Sequence, residues 1–377
     1  MTAETENRPF NGIKVLDFSQ GIAGPHCGML LAHYGADVIK IEPPGGDWSR
    51  PTGIPIGDMS AMYVTYNQGK RGVTIDLRSE DGLAKVKDLA ATADVIIQNY
   101  RPGLPERMGI GYEDLSAIND RLIYVSISGY GQIGPKATHP GTDAILQAST
   151  GLVTLNAGND GVPHRVRMSA IDHVAGMYAF QAVCVDLYAR LAGRTLAGQK
   201  ASGRHIDISL LQSVLAFQGA KILEYDALDG NPPAEQYCPL GIYKTKDDLI
   251  SITTIREKQF ADLCHVIGCP ELITDPRYAT STARIQCMDE VNNLIEARTV
   301  NKTTAEWMEL FTAKGVLHSP IRTYADLFDD PQVLATNSLH WVDQPGFVRV
   351  PITQVPGSVL DNRRPAPQLG EHNDEIL

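Results

Sequence analysis

Short apolar runs alternate with segments of helical spacing over residues 1–130. The apolar runs predict β-strands at residues 13–18, 37–42, 73–77, 94–98 and 122–128. Between them, apolar residues three and four positions apart predict helices at residues 25–34 and 80–92. Strands that alternate with helices favour right-handed crossovers, so we predict an α/β fold whose parallel sheet is covered on both faces.

The pattern changes after a long predicted helix at residues 173–192 and an alternating strand at residues 205–210. Residues 241–255 are typical of a β-hairpin. Helical segments follow it at residues 257–267, 288–298 and 303–314. The predicted domains are a large domain at residues 1–234, a smaller α+β domain at residues 235–330 and a proline-rich C-terminal segment at residues 331–377.

Composition restricts the possible partners. The 377 residues are 43% hydrophobic and carry a net charge of -11, which disfavours a general role on nucleic acids or membrane surfaces. No apolar stretch approaches the roughly 18 residues that a spanning helix needs, and the polar N-terminus does not resemble a signal peptide. The six cysteines form no C-x-x-C pair, so we expect reduced thiols, no metal site and a cytoplasmic location.

Several familiar motifs are absent. The loop after the first strand, at residues 19–25, has serine where a dinucleotide fingerprint needs its first glycine. Neither a G-x-S-x-G elbow nor a P-loop occurs. A loop that enters a helix nevertheless presents free N–H groups, which suit an anion or a carbonyl oxygen.

Basic residues follow several of the predicted strands. They are Lys70, Arg71, Arg78, Arg101 and Arg107. Ligands of parallel sheets bind at the carboxyl ends of the strands, where such side chains would bind phosphate groups. The alternative is a set of solvated surface charges, and spacing alone favours that alternative.

Asp172 is the candidate catalytic residue. It precedes the long predicted helix, where aspartate is a favoured N-cap. A helix dipole would hold its carboxylate ionised, which is the form that a nucleophile needs. The N-cap and the nucleophile are compatible roles. His173 is either an active-site neighbour of Asp172 or a first-turn helix residue.

A series of ordered motifs extends along nearly the whole chain. They lie at residues 12–18, 23–25, 35–42, 69–71, 99–103, 106–109, 128–131, 203–207 and 369–372, with Asp172 and Gly176 between them. In these motifs the chain resembles the class III coenzyme A-transferase family, which includes formyl-CoA transferase, carnitine CoA-transferase and the α-methylacyl-CoA racemases.

The resemblance implies a Rossmann-like large domain built from both ends of the chain, a small α+β domain, and an interlocked homodimer. It implies a transferase in which Asp172 attacks an acyl-CoA thioester and passes through an aspartyl anhydride and an aspartyl-CoA thioester. Coenzyme A and small carboxylic acids are then substrates, and no cofactor is bound permanently.

The resemblance also implies the residues that contact coenzyme A. They are Gln20, Gly21, Ile22, Arg78, Asn99, Tyr100, Arg101, Arg107 and Met108. We expect backbone N–H groups at Gln20, Gly21 and Ile22 to stabilise oxyanions. A basic contact of the family falls on Pro44 in this chain, so that contact is either absent or replaced by another residue, for which Arg50 is the candidate.

Two alternatives share these motifs. Racemases of the family use a histidine and an aspartate as an acid/base pair, and their histidine aligns with Thr142. Threonine is no general base near neutral pH, so the transferase is favoured over the racemase. A non-catalytic acyl-CoA-binding protein would have no need to retain Asp172.

Overall fold

The structure, a computed structural model, describes residues 8–157, 161–194, 203–231, 235–347, 349–358 and 364–377. The chain forms two compact units. One comprises Met1–Ile222 with Asn337–Leu377, and the other comprises Leu223–Thr336; the sequence placed the corresponding boundaries at residues 234 and 330. No helix within the described ranges combines the length and the apolar character that crossing a bilayer requires.

Strands and helices alternate through the first half of the chain. The strands are β1 (Lys14–Asp17), β2 (Asp37–Glu42), β3 (Pro55–Ile56), β4 (Met59–Ser60), β5 (Arg71–Thr74), β6 (Val95–Gln98), β7 (Ile123–Ser128), β8 (Arg204–Ser209), β9 (Leu240–Lys244), β10 (Leu249–Thr253), β11 (Leu317–Pro320), β12 (Leu339–Val342) and β13 (Val350–Thr353). The α-helices are α1 (Ala23–His33), α2 (Ala61–Asn67), α3 (Glu80–Ala90), α4 (Leu104–Arg107), α5 (Tyr112–Ser116), α6 (Asp143–Ser149), α7 (Leu152–Leu155), α8 (Ala170–Leu191), α9 (Leu210–Phe217), α10 (Gly219–Ala227), α11 (Glu257–Ile267), α12 (Ser281–Gln286), α13 (Met288–Thr299), α14 (Thr304–Lys314), α15 (Tyr324–Leu327), α16 (Pro331–Ala335) and α17 (Asn373–Ile376).

A six-stranded parallel sheet organises the larger unit. Its strand order is β5-β2-β1-β6-β7-β8, and every neighbouring pair is parallel. Val15 belongs to the apolar core on one face of the sheet and Leu16 to the core on the other. Both residues are fully buried, which confirms the predicted α/β fold with helices on both faces.

The order of strands reverses between β1 and β6. Chain order increases outward from β1 on one side and from β6 on the other, which is the Rossmann-like doubly wound arrangement. In such sheets the loops after the two central strands part and leave a crevice at their carboxyl ends. The fold therefore places the loops after β1 and β6 around one potential ligand site.

Helices α1 and α8 pack closely on one face of this sheet. All 11 residues of α1 are buried. Gly176 of α8 makes the close approach possible, because a Cβ atom there would lie 2.7 Å from the Ala23 carbonyl oxygen and 2.9 Å from Nδ1 of His26. The N-terminal turns of the two helices are thereby held beside each other.

The smaller unit contains an antiparallel sheet of order β11-β10-β9 and the helices α11 to α14. Strands β9 and β10 form the predicted hairpin, with Ile250 opposite Tyr243. Helix α14 begins with a capping box between Thr303 and Glu306 and ends at Gly315, whose φ of 69° suits glycine. The predicted α+β character of this region is confirmed.

The C-terminal residues contact the edge strand β5 of the large sheet. The His372 N–H donates to the Gly72 carbonyl oxygen over 2.9 Å. The Thr74 N–H donates to Oδ1 of Asn373 over 2.9 Å. These bonds pair backbone groups that an open sheet edge would expose.

Candidate active site

A cavity of about 200 Å³ lies at the carboxyl ends of the central strands. Loops after β1, β6 and β7 form part of its wall, together with the first turns of α6 and α8. Its side chains include Gln20, Ile22, Trp48, Asn99, Thr142, Asp143 and Asp172. The sheet reversal thus brings together Asp172 and three of the residues that the sequence assigned to coenzyme A binding.

Asp172 lies inside helix α8 and does not cap it. The helix begins at Ala170 after the N-cap Ser169, so Asp172 is its third residue. The predicted N-cap role of Asp172 is therefore wrong. The prediction began the helix at residue 173 because the apolar pattern starts there, whereas the first turn of a helix needs no apolar periodicity.

Asp143, the first residue of α6, caps helix α8 from a distance. Its Oδ2 accepts hydrogen bonds from the N–H groups of Ile171, at 2.7 Å, and Asp172, at 3.2 Å. Its Oδ1 accepts from Nε2 of Gln147 at 2.6 Å. Two N–H groups that a free helix terminus would leave unpaired are satisfied in this way, and the start of α8 is fixed to α6.

The ionisation of Asp172 differs from the expectation. Burial, followed by repulsion from the Asp143 carboxylate, raises the pKa of Asp172 to about 7. The helix dipole was expected to hold this carboxylate ionised, but loss of hydration and a neighbouring like charge outweigh it. Asp172 therefore changes its charge near neutral pH, as many catalytic carboxyl groups do.

The loop between β1 and α1 is held by side chains from other elements. The Gln20 N–H donates to Oδ1 of Asn99 at 2.8 Å, and Nδ2 of Asn99 donates back to the Gln20 carbonyl. The Gly21 N–H donates to Oδ1 of Asp47 at 3.2 Å. Both N–H groups are therefore occupied, and the prediction that they stabilise oxyanions is wrong.

The start of α1 still offers backbone donors to the cavity. Ile22 and Ala23 line the cavity, and helix α1 has no side-chain cap. Among the described residues, the N–H groups of Ile22, Ala23 and Gly24 have no hydrogen-bond acceptor. These groups, at the positive end of a helix dipole, suit a developing oxyanion better than those of Gln20 and Gly21.

Buried ion pairs lie beneath this loop. Lys70 pairs with Asp17 and Lys40 pairs with Asp47, each at 2.7 Å between fully buried side chains. Lys40 also donates to the Ser19 carbonyl oxygen, and Ser19 hydrogen-bonds to Asp17. We call these five residues the buried ionic network; it connects β1, β2 and the loop, and so fixes the position of Gln20 and Gly21.

Arg50 does not offer the basic contact that was expected to replace Pro44. Its guanidinium forms two hydrogen bonds of 2.7 Å with the Glu42 carboxylate. It also donates to the Tyr63 hydroxyl at 2.6 Å and to the Pro367 carbonyl at 3.1 Å. Because Arg50 is buried and its Nε and Nη2 atoms are committed to these partners, it does not replace the basic contact at Pro44.

The remaining predicted coenzyme A contacts lie outside the cavity wall. Tyr100, Arg101, Arg107 and Met108 follow β6, and Arg101 and Arg107 are exposed. Arg78 follows β5, where it is exposed and paired with Asp76 at 3.0 Å. Two strands separate β5 from β6, so Arg78 lies roughly 14 Å along the sheet from the residues after β6.

Sequence reasoning did not single out Asp143, Asp47 or Lys40. A signal was available for Lys40 and Asp17, since each is a charged residue within an apolar strand and such residues are buried only when paired. No local pattern reveals Asp143, because the N–H groups that it accepts from lie 28 and 29 positions along the chain.

Comparisons with known proteins identify the family. A model described as CoA-transferase family III matches residues 10–373. The chain belongs to CoA-transferase family III. This confirms the resemblance that the ordered motifs indicated, and it makes the protein a CoA-transferase.

Relatives of this CoA-transferase match it over nearly its whole length. It is 34% identical over 383 residues to succinyl-CoA:glutarate CoA-transferase from Mus musculus, covering 98% of this chain and 86% of that protein. It is also 34% identical over 374 residues to acetyl-CoA:oxalate CoA-transferase from Acetobacter aceti, covering 96% of this chain and 93% of that one. A crystal structure of a CAIB/BAIF family protein from Brucella suis has a TM-score of 0.86 and 32% identity, and each chain is covered to 98%.

Proposed function

We propose that this CoA-transferase moves coenzyme A from an acyl-CoA donor to a small carboxylic acid, with Asp172 as the nucleophile. The observation that carries the proposal is the Asp172 carboxyl group, placed in the cavity at the reversal of the parallel sheet with its pKa raised to about 7. A carboxylate whose pKa lies near the working pH is both available as an anion and little stabilised by water.

The reaction conserves the energy of the thioester. An Asp172 oxygen bonds to the thioester carbonyl carbon, the C–S bond breaks, and coenzyme A leaves as a thiolate from a mixed anhydride. The thiolate attacks Cγ of Asp172, releases the donor acid and forms an aspartyl-CoA thioester. The acceptor carboxylate then attacks Cγ and expels the thiolate, which finally attacks the acceptor acyl carbon and frees Asp172. Water would hydrolyse each intermediate, so a restricted cavity favours transfer.

Two sets of groups support substrate binding in this proposal. The free N–H groups at the start of α1 would stabilise the oxyanion of each tetrahedral intermediate. Within the described residues no Lys or Arg side chain lines the cavity itself, so the phosphates of coenzyme A would be bound outside it. Arg78, Arg101 and Arg107 follow β5 and β6 at the carboxyl ends of the strands and are exposed, so they are available for this contact.

The cavity supports transfer over racemisation. Thr142 lines it where a racemase would carry a histidine, and no imidazole belongs to its described wall. His139 is exposed and lies outside that wall. An acid/base pair on opposite faces of a substrate carbon needs a second acid/base group in the cavity. Among the described residues that line the cavity, Asp143 is the only carboxyl group besides Asp172, and it pairs with the first turn of α8.

We further propose that two protomers associate through an apolar face of the larger unit. A groove of about 390 Å³ between α8, β8 and α9 is lined by residues such as Ala182, Val185, Ile208 and Ala216. Met177 and Tyr188 of α8 and Phe217 of α9 are more than half exposed. Such a surface is unusual for a free monomer, and a second copy of the chain would cover it, as in an interlocked homodimer.

The decisive experiment combines a transfer assay with an Asp172→Asn variant. The wild-type protein is incubated with succinyl-CoA or acetyl-CoA and a panel of mono- and dicarboxylic acids, and new thioesters are identified by mass spectrometry. Asp172→Asn should lose at least about a thousandfold in turnover, because a covalent nucleophile is removed, and should still bind coenzyme A in calorimetry. Asp88→Asn, an exposed aspartate on α3, is the matched control and should retain full activity.

Trapping with hydroxylamine completes the test. In the presence of acyl-CoA it should convert Asp172 to a hydroxamate, detected in the peptide that contains it. Exchange of the substrate α-proton without transfer would instead indicate a racemase. Binding of acyl-CoA with neither reaction would indicate a binding protein, and an active Asp172→Asn variant would exclude the nucleophile.

A further inference from the structure

A row of hydrogen-bonded side chains crosses three neighbouring strands of the large sheet. Gln98 is the last residue of β6, and its partner in register on β7 is Ser126. His205 of β8 lies opposite Tyr124, two positions from Ser126 on β7. Residues two apart on a strand point to the same face, so these side chains share one face of the sheet. We call Gln98, Ser126 and His205 the polar row; the transfer reaction leaves all three unused.

The first two bonds fix the orientation of the Gln98 amide. The Tyr100 N–H donates to Oε1 of Gln98 over 2.8 Å. A backbone N–H can only donate, so this end of the amide is its oxygen. The other end, Nε2, therefore donates, and its acceptor is Oγ of Ser126 at 2.7 Å. Gln98 and Ser126 are both fully buried, so water offers neither of them another partner.

The polar row ends on the imidazole ring of His205. Its Nε2 lies 2.8 Å from Oγ of Ser126. Among the described residues, this nitrogen is the one hydrogen-bond acceptor that meets the Ser126 hydroxyl. Ser126 therefore donates to Nε2, which must be unprotonated. The proton of the neutral His205 ring then lies on Nδ1.

The surroundings of His205 favour the neutral ring. It stacks on Tyr112, with ring centroids 5.0 Å apart, and meets Tyr124 edge-on at 5.5 Å. Burial lowers the pKa of His205. The charged groups that oppose this shift are the carboxylates of Asp207, Glu106 and Glu113. A neutral ring can therefore accept from Ser126 near neutral pH.

The polar row ends directly beside the cavity wall. Asn99 follows Gln98, lines the cavity and pairs through its amide with the Gln20 backbone. The loop that this pair holds continues into Ile22 and Ala23, whose N–H groups are the proposed oxyanion donors. Rotation of the Gln98 amide would release the backbone that follows Asn99, and with it the position of the loop.

We propose that Ser126 and His205 are positioning residues of the transfer reaction, which act on the loop before α1. Ser126 supplies the acceptor that holds the Gln98 amide. The unprotonated Nε2 of His205 supplies the acceptor that keeps the Ser126 hydroxyl turned, so that its oxygen faces Gln98. Asn99 is thereby held against the loop, and the proposed oxyanion donors keep their distance from Asp172. This catalytic role rests on the proposed function, whereas the direction of the hydrogen bonds does not.

Substitutions in the polar row test the catalytic role. Ser126→Ala removes the acceptor of the Gln98 amide, so kcat should fall about tenfold while KM changes less than about twofold, because oxyanion donors act in the transition state. His205→Leu should cause a similar loss. His205→Gln keeps an acceptor at the place of Nε2 and should retain at least about half of kcat. In an Asn99→Ala background, Ser126→Ala should have no further effect on kcat.

Thr299→Val is the matched control. It removes a buried hydroxyl group that donates to the Lys244 carbonyl oxygen over 2.7 Å in the smaller unit. It should therefore cost stability, as Ser126→Ala does, but leave kcat unchanged. An equal fall of kcat in both variants, or an unchanged kcat in Ser126→Ala, would overturn the positioning role.

A spectroscopic readout without turnover tests the direction of the hydrogen bonds. 15N NMR of the histidine-labelled protein at about pH 8 shows which ring nitrogen of His205 carries the proton, with its signals assigned by their loss in His205→Gln. The polar row predicts a protonated Nδ1 and an unprotonated Nε2. A proton on Nε2 would overturn the proposal whatever the activity. A wild type without transfer activity would instead refute the proposed function, and the catalytic role with it, while the tautomer stands.

Discussion

At the scale of single residues, the raised pKa of Asp172 lowers the stability of the folded protein at neutral and alkaline pH. Its partly buried carboxyl group lies near the Asp143 carboxylate, and its pKa is raised to about 7 from an ordinary value of 3.8. The unfolded chain would release this proton at the ordinary value. Between pH 3.8 and about pH 7 the folded state therefore binds more protons than the unfolded state. The stability of the folded state consequently declines as pH rises through that window.

Asp172→Asn should consequently be more stable than the wild type at pH 8, but not at pH 4. The difference in the free energy of unfolding should grow by about 1.4 kcal/mol per pH unit within the window, on the order of 4 kcal/mol in total. Urea unfolding at several pH values measures it. Asp88→Asn should show no such trend, and a difference that is constant with pH would contradict the raised pKa.

At the scale of secondary-structure elements, the site depends on the contact between α1 and α8. Each helix supplies its first turn to the cavity, and Gly176 lets them approach. Both N-terminal turns are held by long-range contacts: Asp143 pairs the first N–H groups of α8, and the buried ionic network holds the loop before α1. The spacing of the two helices thus decides the distance between Asp172 and the proposed oxyanion donors.

Gly176→Ala should separate the two helices. The added methyl group would lie 2.7 Å from the Ala23 carbonyl oxygen, so the helices must shift. We expect a loss of about 1–3 kcal/mol in the free energy of unfolding, and a fall in kcat that exceeds the change in KM. Thermal unfolding and steady-state kinetics measure both. Gly45→Ala, with no atom within 4 Å of its added Cβ, should change neither, and equal behaviour of the two variants would contradict the close approach.

Most strands and helices could be predicted because each depends on the pattern of apolar and polar residues within its own segment. The strands of the sheet and helices α3 and α11 begin within two residues of their predicted positions. The site was less accessible, since its decisive contacts are distant in sequence: Gln20 meets Asn99 across 79 positions, and Gly21 meets Asp47 across 26. Side-chain periodicity carries no information on such pairs, so Gln20 and Gly21 were wrongly predicted as oxyanion donors. The N-cap error had a different cause, because the first turn of α8 lies outside the apolar pattern that was used to place the helix.

At the scale of the whole molecule, the apolar face of α8 and α9 is the surface through which we propose that two copies of the chain associate. The face carries the groove between α8, β8 and α9, with Met177, Tyr188 and Phe217 exposed. The chain is otherwise acidic, with a net charge of -11, which opposes non-specific association. A specific apolar surface would therefore be needed to bring two such chains together.

Val185→Glu should weaken the proposed dimer. Val185 is about half exposed and lines the groove, so a carboxylate there would lose its hydration in an interface. Light scattering coupled to size-exclusion chromatography should show a monomer for this variant and a dimer for the wild type. Lys87→Glu on α3 introduces a carboxylate on an exposed position and should remain dimeric. A wild type that elutes as a monomer at micromolar concentration would contradict the proposal.

The buried ionic network has a consequence for ionic strength. Its Lys40–Asp47 and Lys70–Asp17 pairs are inaccessible to solvent, so counter-ions do not screen them, whereas Arg78, Arg101 and Arg107 face the solvent. Added salt should accordingly weaken the proposed contacts of these arginines with the phosphates of coenzyme A, while the geometry around Asp172 persists. A change of buffer alone should thus separate the proposed binding contacts from the proposed chemistry.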